Sequence, residues 1–284
     1  MNKLTVENVD FSYGKKVILK NISFNIENGL TGLLGKNGAG KTTLIKILVT
    51  LYKPSKGSIL FNDCDYNVSS NEIRKHLGYL QQDFNMYKNL TGLDYLKFVA
   101  KMRDVNNIDD EIFKICEQLN LNKYIKGKIG TYSGGIKRRL GIAQAIIGDT
   151  KLIVLDEPTI GLDPEERNEF RKIIKKISRD KIVIMSTHIT EDIEFLCDKL
   201  IILKDSTVQF VGSVDEFIDN NKDNILEEVV NQIRFNEIMN DKKVISYNGD
   251  GDKISVKYIE KNDNNSNYAK NITLQDAYIN FLEE

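Results

Sequence analysis

The chain is 284 residues long, room for one large domain or two small ones at roughly 100–200 residues each. Hydrophobic residues make up 41% and charged residues 29%, a balance that excludes a disordered chain. Forty Lys+Arg against 41 Asp+Glu leave a formal net charge of -1, which argues against wholesale neutralisation of nucleic-acid phosphates, so no nucleic-acid partner is expected.

In chain order, Leu4, Val6, Val9 and Phe11, then Ile22, Phe24 and Ile26, are spaced for strands with one covered face. The apolar stretch Leu30–Leu34 runs into GKNGAGKTT, and Thr43–Leu51 continues at helical spacing. A turn at Lys53–Gly57 leads to a strand at Ser58–Phe61, and Gly92–Lys128 reads as helical. Three runs, LIVLDEP, KIVIMSTH and KLIILK, look like buried parallel strands. A helix at about Glu165–Arg179, with a proline at its start, separates the first two. Strands alternating with helices predict an α/β fold with a mostly parallel sheet.

The run DEFIDNNKDN shifts to Asp, Asn and Lys and predicts a linker at 216–224. Domain 1–215 would then be followed by a small unit, 225–284, with strands at Glu228–Ile233 and Lys253–Ile259 and a helix at Thr273–Leu282. Apolar runs reach only four residues, as at Leu152–Leu155, against about 20 for a membrane span. The opening MNKLTVENVDFSYG has no signal-like apolar core, so the chain is expected not to cross a membrane by itself. Cys64, Cys116 and Cys197 lie far apart, and with only His76 and His188 they form no zinc-ligand spacing. Free thiols in a reducing cytosol are the expectation.

Gly35-Lys36-Asn37-Gly38-Ala39-Gly40-Lys41-Thr42 matches G-x-x-x-x-G-K-[ST]. Glycines there let backbone N–H groups wrap a phosphate chain, Lys41 can reach the terminal phosphates, and the Thr42 hydroxyl is placed for Mg²⁺. The strand Leu152–Leu155 ends in Asp156, suited to the Mg²⁺ shell, and Glu157, one residue further out where an attacking water could sit. The two motifs together predict a nucleoside triphosphatase. Ser133-Gly134-Gly135 opens a helix, Ile136–Ile147, whose start can receive an anion or serve as an ordinary cap. Alone, Tyr13 reads as packing and His188 as a strand-end residue.

Tyr132-Ser133-Gly134-Gly135 followed by Ile136-Lys137-Arg138-Arg139-Leu140 resembles the LSGGQ-type signature of ATP-binding cassette (ABC) ATPases. The resemblance runs in family order over 1–215: Walker A at 35–42, Gly78–Gln82 like the Q-loop, Walker B at 152–157, Gly161-Leu162-Asp163 like the D-loop, and Ser186-Thr187-His188 like the switch histidine. It implies a P-loop nucleoside triphosphatase fold with N-terminal antiparallel strands, a helical subdomain at about 83–150 and a small α+β C-terminal extension. The signature wording is similar to that of bacterial exporter ATPases.

The resemblance also implies site residues. ATP would be held by Tyr13, stacked on adenine, by the loop Gly35, Lys36, Asn37, Gly38, Ala39, Gly40, Lys41, Thr42 and Thr43, and by Ser133, Gly134, Gly135 and Asp163. Thr42, Gln82 and Asp156 would hold Mg²⁺, with Glu157, His188, Gln82 and Lys41 catalytic. Two departures stand out: Gln81 occupies a position often held by proline, and Ile136 replaces the usual Gln or Glu. The implied function is ATP hydrolysis by a cytoplasmic dimer, peripheral on the inner face of the membrane, that powers a separate permease, most often in export. A cassette ATPase of translation or DNA maintenance is the alternative, although its paired cassettes, coiled coils and basic arms are not seen here.

Overall fold

Apolar residues at Leu4, Val6 and Val9 place one face of β1 (Lys3–Tyr13) under cover, and β2 (Lys16–Glu27) pairs antiparallel with it through Leu4–Ile26, Val6–Phe24 and Val9–Ile22. These strands belong to a computed structural model that describes residues 1–82, 86–260 and 268–283. β3 (Gly29–Gly35) is buried almost throughout and delivers the chain to α1 (Lys41–Leu48). Next come β4 (Lys56–Phe61), β5 (Cys64–Asp65), α2 (Tyr66–Lys75) and β6 (Leu77–Leu80). The segment expected to be helical holds two helices, α3 (Gly92–Met102) and α4 (Ile108–Gln118). The start of the expected helical subdomain, 83–85, lies outside the described residues.

Signature helix α5 (Gly134–Ile146) leads to β7 (Leu152–Asp156), α6 (Pro164–Ile177), β8 (Ile182–Ser186), α7 (Thr190–Leu196), β9 (Lys199–Lys204) and β10 (Thr207–Ser213). The main sheet has the order β10-β9-β3-β8-β7-β6, with β9, β3, β8, β7 and β6 mutually parallel. A second sheet, β2-β1-β4-β5, is antiparallel. β7 and β8 are buried at every position because helices and the second sheet leave neither face to water, hence their unbroken apolar runs. Leu33, Leu44, Ile45, Leu48, Val154 and Ile184 share one core with Val6, Phe24 and Ile59 of the antiparallel sheet.

The chain separates into two units, Met1–Val211 and Gly212–Glu284. The expected linker at 216–224 is corrected by the structure. Its first half is α8 (Val214–Asn220), opened by a capping box in which Ser213 and Glu216 bond each other's backbone. The Asp- and Asn-rich composition hid Val214 and Phe217, both buried. The second unit continues with β11 (Ile225–Val230), α9 (Gln232–Asp241), β12 (Lys243–Asp250), β13 (Lys253–Ile259) and α10 (Leu274–Glu283). Its sheet is antiparallel, β11-β13-β12, over a small core of Leu226, Ile238, Ile254, Val256 and Tyr258.

Candidate functional site

The strand-to-helix turn after β3 forms around glycines that no other residue can replace. Gly35 approaches β9 so closely that a Cβ would lie 2.6 Å from the Leu203 carbonyl oxygen. Gly40 has φ 108°, and a Cβ there would meet Leu19 Cδ2 at 2.6 Å. The result is a loop folded back on the start of α1. Lys41 Nζ donates to the carbonyls of Gly35 (2.6 Å) and Lys36 (3.3 Å), so the ammonium is held over the loop's centre. Burial lowers its pKa, and the charges of Glu157 and Asp156 act in the opposite direction.

β7 and β8 are parallel neighbours in register at Asp156 and Ser186. Their C-terminal ends therefore place the second motif beside the loop. Ser186 Oγ donates to Asp156 Oδ1 at 2.6 Å, which fixes that carboxylate. Glu157 takes a left-handed backbone, φ 48°, a conformation that costs an L-residue about 1–2 kcal/mol. Its N–H donates to the Ser186 carbonyl and hydroxyl, both at 3.1 Å, and its carbonyl accepts from Arg138 Nη2 at 3.2 Å. That turn re-aims the carboxylate toward His188, whose Nδ1 lies 3.1 Å from Oε2. Glu157 is nearly buried, whereas the imidazole is more than half exposed and free to meet a ligand.

Asn37, Gly38, Gly40, Lys41, Thr42 and Thr43 line one open cleft of about 470 Å³. Gln82, Asp156, Glu157 and His188 line the same cleft. Gly35, Lys36 and Ala39 stand behind the loop: the first two anchor Lys41 by their carbonyls, and Ala39 packs into the core. Lys16, Val17, Ile18, Ile160 and Ser206 complete the walls, and sequence reading missed them. Ser206 arrives through the two-residue turn between β9 and β10, where Asp205 and Ser206 both have positive φ. No side-chain pattern in the sequence announces that reach.

The remaining candidates sit elsewhere in the single chain. Tyr13 stacks edge-on against Phe11 and Tyr52, at 5.0 and 5.9 Å between ring centroids, and is half exposed. Its hydroxyl faces those of Tyr52 and Thr43. Ser133 caps α5 by accepting from Ile136 N–H at 3.3 Å, and Gly134 lines a smaller recess with Gln82, Arg138 and Gly161. Gly135 is crowded by the Glu166 carboxylate, at 2.1 Å from where a Cβ would stand. Asp163 caps α6 through Glu166 N–H at 2.8 Å. None of Tyr13, Ser133, Gly134, Gly135 or Asp163 lines the Lys41 cleft.

Two further groups organise the site. Asp192, wholly buried at the start of α7, accepts from Thr159 Oγ1 (2.6 Å), Arg167 Nε (3.0 Å) and Arg171 Nε (2.8 Å). It thereby ties the turn after Glu157 to the helix after His188. Arg138 reaches Gln82 as well as Glu157. The T-H-x-x-x-D spacing and the basic run were visible in the sequence, but only the packing gives either group a partner.

The family model described as ABC transporter matches residues 19–160. An uncharacterised ABC transporter ATP-binding protein of Bacillus subtilis is 38% identical over 209 residues, 72% of this chain and 68% of that protein. The lantibiotic transport ATP-binding protein of Streptococcus pyogenes is 39% identical over 197 residues, 69% of this chain and 84% of its own. The linearmycin resistance ATP-binding protein of Bacillus subtilis is 34% identical, over 74% of this chain and 69% of its own. Among solved structures, a dimeric ATP-binding cassette in a post-hydrolysis state with ADP and phosphate is similar to this chain with a TM-score of 0.66. It is 25% identical and is matched over 74% of this chain and 98% of its own. The ATP-binding subunit of an ABC transporter has a TM-score of 0.70 at 24% identity, over 76% and 92%.

Proposed function

We infer the function from one premise: this chain belongs to the family of ABC transporter ATP-binding proteins. It is an ATP hydrolase of that family. We propose further that it powers a separate membrane permease working as an exporter. The observation that carries the catalytic reading is the convergence of Lys41, Thr42, Asp156, Glu157, Gln82 and His188 on one cleft.

The donors present fit Mg²⁺. Thr42 offers a hydroxyl, Asp156 a carboxylate and Gln82 an amide oxygen, all hard ligands. Among the described residues no cluster of three or more His, Cys, Asp or Glu could hold a metal alone, so the ion would arrive with phosphate oxygens. When bound it supplies charge neutralisation on the phosphates. The loop N–H groups and Lys41 bind the phosphate chain and offset charge that develops in the transition state. Glu157 polarises the attacking water, and His188, held by that same carboxylate, orients it against the γ phosphate.

Ser133 stands outside the Lys41 cleft, so we assign it to the cleft of a second copy, in a dimer with two shared sites. Tyr13 is assigned to the adenine on the open side of the loop. No helix among the described residues is long and apolar enough to cross a membrane, which fits a partner permease. The exposed Tyr87, Leu90 and Phe98 line an apolar groove in the helical segment that we assign to that partner. The chain would then sit on the cytoplasmic face of the membrane. Relatives named for lantibiotic transport and linearmycin resistance support export. Steady-state phosphate release, with co-purification of an integral membrane protein, tests both parts. An active chain with which no integral membrane protein co-purifies would favour the non-transport alternative.

A further inference from the structure

β6 and β7 run parallel in register to Leu80 and Leu155, and both ladders end there or one residue later. Gln82 and Glu157 each lie two residues beyond that last pair, where backbone carbonyls have lost their sheet partners. One side chain reaches both. Arg138, the fifth residue of α5, donates through Nη1 to the Gln82 carbonyl at 3.3 Å and through Nη2 to the Glu157 carbonyl at 3.2 Å. The planar guanidinium fork suits two carbonyls side by side, which an ammonium on a flexible stem does not. The same helix grips the exit of β6 again lower down, where Gln144 Nε2 donates to the Tyr79 carbonyl at 3.3 Å. It is tied to α6 by the Arg139–Glu169 ion pair at 2.7 Å.

We propose that Arg138 is a positioning residue for hydrolysis: its guanidinium sets Gln82 and the left-handed Glu157 turn at a fixed separation, so that the Glu157 carboxylate keeps its aim whenever α5 is seated. The assignment rests on the functional reading above. Arg138 does not itself line the Lys41 cleft; it bonds two lining residues, Gln82 and Glu157, at their backbone carbonyls. The bonds that hold Lys41 to Gly35 and Lys36 do not involve it, so its loss leaves the phosphate-binding loop as it is. What changes is the freedom of the Glu157 turn. That turn retains its two N–H bonds to Ser186 and loses the bond on its carbonyl side. A carboxylate misplaced by about 1 Å is expected to slow the chemical step up to about a hundredfold without loosening nucleotide. The effect should therefore appear in kcat and not in binding.

The test compares Arg138→Ala, Arg138→Gln and Arg138→Lys with the parent chain at full length. Steady-state phosphate release gives kcat, a fluorescent ATP analogue with Mg²⁺ gives Kd, and thermal melting shows that each variant is folded. Arg138→Ala is expected to lose about 10- to 100-fold in kcat with Kd within about threefold of the parent. Lys and Gln, each able to reach one carbonyl, should recover part of that loss. If Arg138→Ala does not fold, the Lys and Gln variants carry the comparison alone. A kcat for the folded variants within twofold of the parent, or a loss matched by an equal loss of affinity, overturns the assignment. A parent chain that binds ATP but never turns it over overturns the functional reading itself, and the two failures are thus distinct.

Discussion

Glu157→Gln is the sharpest perturbation of this site. The amide has the shape of the carboxylate, and the turn that carries it is held through its own backbone, the N–H donating to Ser186 and the carbonyl accepting from the Arg138 guanidinium, so the fold should not change. The amide can still face His188 Nδ1, now 3.1 Å from Oε2, but it neither accepts a proton nor polarises water as a carboxylate does. Loss of a general base costs roughly 100- to 10,000-fold, or about 2.7–5.5 kcal/mol at about 1.36 kcal/mol per decade. One negative charge also leaves the cleft, so Mg-ATP affinity should be unchanged or higher. The assay is phosphate release at saturating ATP, with a sizing column to detect an accumulated ATP-bound dimer. Turnover within tenfold of the parent would mean that Glu157 is not the group that activates water, whatever its contact with His188.

Lys41→Ala and Ser133→Arg homodimers should both be inactive, yet equal mixing should restore about a quarter of parent ATPase, because half the dimers regain one of two sites. No recovery, with exchange verified by pull-down, would place Ser133 in its own chain's site or in none. A chain cut after Ser213 keeps every cleft residue and should bind Mg-ATP as the full chain does; a folded fragment without binding refutes the boundary at Gly212. Asp192→Ala leaves Arg167 and Arg171 facing a buried void, and at about 3–5 kcal/mol should lower the melting temperature of the first unit by roughly 10 °C. A change below about 2 °C would show that the arginines find water instead.

The phosphate-binding loop, the strand ending in Asp156 and Glu157, and the parallel sheet were all legible in the sequence. Each is local: a glycine pattern that admits one turn, or an apolar run whose length and burial on both faces imply a central strand. The reading failed at 216–224, where Asp and Asn hid a helix with two buried apolar residues, of which Phe217 is covered by Phe281 of α10 only once the second unit has folded. It also named Arg138 and Ser186 only as members of motifs, with no partner for either, and passed over Asp192 and Ser206. Their partners lie between 19 and 56 residues away wherever a side-chain bond is seen, as with Arg138 to Glu157 and to Gln82, Ser186 to Asp156, and Asp192 to Thr159. A side chain's type is written locally, but its hydrogen-bond partner is chosen by which strand ends the sheet order brings together. The sequence by itself therefore determined which groups can bind phosphate and activate water. The tertiary structure decided which of them share one cleft, that Ser133 is not among them, and what holds Glu157 in a conformation its own backbone disfavours.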